Sequence, residues 1–93
     1  DDIVWAIKPA NDSMHKVVGR MREFATNVFE AKDIELEFIA EEAVNNVNIN
    51  MEARRDFFLV FKEAVNNAAK YSKCDRAVVE INVDHHKLIL QVK

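Results

Sequence analysis

The chain has 93 residues, 49% of them hydrophobic and 31% charged, with a formal net charge of −3. That is enough for one small soluble domain, and its composition is not that of a disordered segment. The acidic balance argues against a dedicated nucleic-acid binder, which would carry a basic patch. No run approaches the roughly 18 apolar residues of a membrane span, and nothing at the start reads as a signal peptide. The single cysteine, Cys74, excludes an internal disulfide and any multi-cysteine metal site. It fits a reducing compartment and reads as a small hydrophobe at a helix–strand junction. With one Gly and one Pro in the whole chain, there is no glycine-rich phosphate loop.

In chain order, Asp1 to Ile7 reads as the end of a helix, with Ile3, Val4 and Ile7 at helical spacing. Pro9 closes it, because the residue before a proline is pushed out of helical space. Trp5 beside the break serves either plain packing or contact between a helical stem and the body that follows. Asn11, Asp12 and Ser13 are N-cap candidates for a helix running to about Lys32. Its expected buried stripe is Met14, Val17, Val18, Met21, Phe24, Ala25 and Val28. Gly19 falls on an exposed turn, and His15 is read as solvent-facing.

Ile34 to Ala40 alternates, with Ile34, Leu36 and Phe38 on one face and Glu35 and Glu37 on the other, the pattern of a half-buried strand. Glu41 to Asn50 is a polar connection, ending on Asn50 as the cap of the next helix. After that helix, Arg76 to Val83 is strand-like, with Val79, Ile81 and Val83 on one face. Asp84-His85-His86-Lys87 makes a turn and Leu88 to Val92 alternates again, giving a hairpin. Neighbouring residues on a strand point to opposite faces, so the His85–His86 pair is read as an exposed turn and not a metal site. The expected fold class is α+β: a mixed sheet with helices packed on one face, in two layers.

The helix from Phe57 to Ser72 carries the candidate chemistry. At about 100° per residue, Phe57, Phe58, Phe61, Ala64, Val65, Ala68 and Ala69 form one apolar arc. Glu63, Asn67 and Lys70 fall on the opposite side, with Glu63 and Asn67 one turn apart. A carboxylate, a carboxamide oxygen and an ammonium on one stripe suit a magnesium-polyphosphate ligand. Mg²⁺ takes oxygen ligands and keeps several waters, so one side chain plus phosphate oxygens suffices. On spacing alone, the ordinary reading of such a stripe is a solvated helix face.

The run K-E-A-V-N-N-A-A-K-Y-S closely resembles the N-box of sensor histidine kinases, in which Glu-Ala-x-x-Asn is followed by Lys-His-Ser. Glu63, Asn67, Lys70 and Ser72 match; Tyr71 replaces the usual His, and Asn66 stands where Thr is common. D-D-I-V-W-A-I-K-P-A-N-D-S resembles the junction between the dimerisation helices and the ATPase domain of such kinases. The resemblance spans nearly the whole chain and implies a partial Bergerat-type sandwich, the ATPase fold shared with gyrase-type topoisomerases and certain chaperones. Residues 1–10 would end the second dimerisation helix, and 11–93 would be the N-terminal half of the ATP-binding domain. In the family the last strand leads into Asp-x-Gly-x-Gly, so the resemblance implies a chain that stops short of the adenine-reading segment and is inactive alone. The phospho-acceptor histidine is also absent, since His15 lacks the acidic surroundings of that motif.

Carried over by position, the resemblance implies that Asn67 ligates Mg²⁺ and that Glu63 acts as general base or orients the acceptor imidazole. Lys70 would contact phosphate, and Tyr71 would touch the nucleotide. It implies ATP as cosubstrate, homodimerisation through the helical stem, a response regulator as partner and no direct nucleic-acid contact. It also implies a cytoplasmic domain and leaves open an inner-membrane anchor on the parent. Two alternatives stand beside this reading. One is a non-catalytic ATPase-like binding module, such as an anti-sigma factor or a degenerate kinase. The other is a purely structural dimerisation domain whose polar helix face is decorative. Separately, a domain cut short after Lys93 would leave the Leu88 to Val92 edge unpaired and open to strand pairing.

Overall fold

The structure is a computed structural model that describes residues 14–47, 49–71, 75–84 and 87–92. The readings of the first helix end, Pro9, Trp5, the Asn11–Ser13 caps, Ser72, Cys74 and the His85–His86 pair lie outside the described residues.

Helix α1, Met14–Glu30, buries Met14, Val17, Val18, Met21, Ala25 and Phe29. The stripe expected from spacing holds at Met14, Val17, Val18, Met21 and Ala25, but Phe24 and Val28 are only half-buried and Phe29 takes the last place. The reason lies in how the helix stops. Asp33 adopts a left-handed φ of 57°. The Ile34 N–H donates to the Phe29 carbonyl at 2.9 Å and the Asp33 N–H to the Glu30 carbonyl at 3.0 Å. These are the two bonds of a Schellman ending, and its usual apolar pair is Phe29 with Ile34, both buried. Gly19 is exposed, and a Cβ placed there would meet nothing within 4 Å.

Strand β1, Glu35–Ala40, alternates between exposed and half-buried positions as its pattern predicts. The polar connection that follows is not featureless. Glu42–Asn46 winds into a short 3₁₀ helix that buries Val44 completely. The few apolar residues of the connection, Ala43, Val44, Val47 and Ile49, are scattered among acids and asparagines without a sustained period, so the pattern did not single out Val44.

Helix α2, Met51–Tyr71, begins where Asn50 was expected to cap it: the Ala53 N–H donates to Asn50 Oδ1 at 2.7 Å. Its buried residues, Arg54, Phe58, Phe61, Val65 and Ala69, step along one side at intervals of three and four. Arg54, only 5% exposed, uses Nη1 to donate to the Ile49 carbonyl at 3.1 Å, which anchors the incoming chain against the first turn. Phe61 meets Phe24 of α1 edge-on, with ring centroids 6.2 Å apart, and this contact joins the two helices.

Strands β2, Arg76–Asp84, and β3, Lys87–Val92, form the hairpin, with Asp84 paired to Lys87. The sheet order is β1-β2-β3. β1 and β2 are parallel, from Glu35 opposite Arg76 to Ala40 opposite Ile81. A parallel pair needs a crossover, and α2 supplies it. Leu36, Phe38, Ala77, Val79, Ile81, Val83, Leu88, Leu90 and Val92 face the core with both helices. The chain is thus an α+β sandwich of two layers, with a mixed three-stranded sheet and its helices packed against it. Arg76 and Glu37 pair at 2.7 Å across adjacent strands, both about half exposed. No helix among the described residues is long and apolar enough to cross a membrane.

Candidate functional site

Position on α2 decides what each candidate side chain can do. Because Phe58, Phe61, Val65 and Ala69 turn into the core, residues half a turn away must turn out. Glu63, Asn67 and Lys70 are all exposed, as their spacing predicts, and form one stripe over two turns. Glu63 and Asn67 make no hydrogen bond or ion pair within the described residues. Among the described residues, their oxygens have no existing bond to lose to a ligand. Lys70 falls in the last turn, where a cation complements the helix dipole. Its Nζ lies 5.2 Å from the centroid of the Tyr71 ring. Tyr71 is 68% exposed, so its ring presents an uncovered face beside the ammonium.

All four residues singled out from the sequence are thus exposed on α2, and Lys70 and Tyr71 are in contact. The structure adds two that were not: Leu59, 40% exposed, and Val60, 62% exposed, lie one turn before Glu63. Both fall outside the apolar arc of the helical projection, which was the available signal. An aliphatic side chain at such a position is poorly suited to a purely solvated face, and the two give the stripe an apolar border.

The stripe fits a hard cation only as part of a shared shell. No group of three or more His, Cys, Asp or Glu that could hold a metal occurs among the described residues. Asn67 and Glu63 supply isolated oxygen donors, which suits Mg²⁺ held mainly by phosphate oxygens and water. One concave surface lies elsewhere. A groove of about 510 Å³ runs between α1 and β1, and no residue of α2 lines it. The α2 stripe is an open helix face, and a ligand there would be covered from one side by these residues.

Comparison of the chain with protein-family models, with curated proteins and with solved structures returns no match.

Proposed function

We propose that this chain carries the magnesium–nucleotide face of a sensor histidine kinase, which transfers the γ-phosphoryl group of ATP to a histidine of its own dimer and passes it to a response regulator. The observation that carries this reading is the placement of Glu63 and Asn67 one turn apart on the exposed side of α2, neither committed to another side chain among the described residues. The resemblance of K-E-A-V-N-N-A-A-K-Y-S to the kinase N-box gives the stripe its chemistry.

Asn67 binds through its carboxamide oxygen, a neutral donor that does not repel phosphate. Lys70 offsets phosphate charge. Glu63 accepts the proton of the attacking imidazole, or holds that ring so its free nitrogen faces the phosphorus. Magnesium, when bound, neutralises charge that develops on the phosphate oxygens.

The two residues should fail differently in the full-length protein. Asn67→Asp adds a charge beside the phosphates, so nucleotide affinity itself falls. Glu63→Gln keeps shape and removes the base. ATP affinity should then stay within roughly threefold, while single-turnover phosphorylation drops at least about tenfold, a barrier increase of about 1.4 kcal/mol. Phosphorylation at the wild-type rate in Glu63→Gln would reduce the stripe to a solvated face. Nucleotide binding without phosphoryl transfer in the unaltered protein would reassign it to a non-catalytic ATPase-like module.

A further inference from the structure

The groove between α1 and β1 has features the nucleotide reading does not use. β1 is an end strand: among the described residues its one neighbour is β2. The Glu35 N–H donates to the Asp75 carbonyl at 2.9 Å and the Glu41 N–H to the Ile81 carbonyl at 3.0 Å. Backbone groups in a strand alternate in direction, so odd-numbered residues here serve β2. Leu36 and Phe38 then point their N–H and C=O groups to the outer edge, where a further strand can pair.

The walls of the groove keep a common step. Arg22, Thr26 and Glu30 come from three successive turns of α1, and Ile34, just before β1, alternates with Leu36 and Phe38 within it. The Arg22 guanidinium sits 4.5 Å from the centroid of the Phe38 ring, while Glu30 lies at the Asp33 end, so helix and strand run antiparallel. Four helical residues advance about 6 Å and two strand residues about 6.6 Å. Alternate side chains of an added strand would meet a wall that repeats at nearly their own spacing.

Charge gives the groove a direction. Glu30, Asp33 and Glu35 gather at one end and Arg22 stands at the other. A second copy of β1 is a poor occupant, because self-pairing would line Glu35 and Glu37 of both chains along one seam.

We propose that this groove receives an extended peptide of a partner protein, which pairs with the outer edge of β1. The peptide alternates apolar residues and runs antiparallel to β1, with a carboxylate near Arg22 at its start and a cation near Glu30 and Asp33 at its end. Main-chain bonds to Leu36 and Phe38 supply affinity, and the two charged ends set orientation.

The test is an amide NMR titration of the whole chain with acetyl-Glu-Val-Thr-Val-Thr-Val-Lys-amide. Expected shifts concentrate on residues 22 to 40. N-methylation of the alternate amides that face β1 should weaken binding at least about tenfold, from the loss of two or more hydrogen bonds. Exchanging the terminal Glu and Lys should weaken it further than a neutral control, and Glu30→Lys in the protein should reduce that preference. The proposal fails if shifts centre on other strands or if N-methylation changes nothing. It also fails if the Leu36 and Phe38 amides already exchange slowly without peptide, which would mean the chain covers its own edge. Concentration-dependent shifts of β1 without peptide would assign the groove to a second copy and overturn the proposal.

Discussion

The inward and outward faces of α2 share one 21-residue helix and one cap, yet they answer to different constraints. Inward, Phe58, Phe61, Val65 and Ala69 are interlocked with α1 and the sheet, and even Arg54 is drawn in far enough that its guanidinium must bond to a carbonyl. Outward, Glu63, Asn67 and Lys70 add little to the packing, and Leu59 and Val60 stay exposed at an apparent loss of burial. Close-packed residues hold a helix in place, and uncommitted ones can be set by what the helix must bind. A rigid element with a free polar stripe is the arrangement a precise site requires.

That contrast can be broken by substitution, beginning at the core. Phe61→Ala removes a ring with no exposed surface that bridges both helices, and should cost about 3–5 kcal/mol in urea unfolding. Against a total of about 5–15 kcal/mol for a small domain, the variant should be at the edge of folding. A loss below about 1 kcal/mol would mean the two helices are not fixed to each other through this residue.

Between the faces lies the cap. Asn50→Ala should cost about 1 kcal/mol by freeing the Ala53 N–H, with the unfolding slope unchanged. The smallest effect belongs to the outward stripe. Glu63→Gln should alter stability by less than about 0.5 kcal/mol, because the exposed carboxylate has no partner to lose among the described residues. A thermal or urea measurement showing a loss near that of Asn50→Ala would make Glu63 a structural residue and dissolve the distinction between the faces.

Elements with strong periods could be read from the sequence. The alternation of E-L-E-F-I-A, the apolar arc of α2 and the Asn50 cap all appear where local pattern placed them. Single residues fixed by a turn were not legible. Phe29 displaces Val28 because Asp33 ends α1 in a left-handed conformation usually given to glycine, and no glycine marks the spot. Val44 is buried within a polar connection, and Arg54 is a charged residue at a position of α2 that the helical period turns inward. The stripe on α2 was visible because a helix converts spacing directly into a face. The groove beside β1 was not, because it depends on α1 lying alongside a strand whose outer edge only the sheet order reveals.

The parallel register of β1 against β2 has a consequence for the time course of folding. The 3₁₀ helix and all of α2 lie between the two strands, so no pair in that ladder can form until both have been brought round. The β2–β3 hairpin and the Schellman turn joining α1 to β1 are local, and hairpins close in about 1–10 μs. Two quickly formed pieces must then be docked across α2, a search whose entropy is spent before its contacts are gained. Refolding followed by stopped-flow fluorescence should therefore resolve a phase of milliseconds or longer, and it is the arrival of β1, not the winding of α2, that sets the clock.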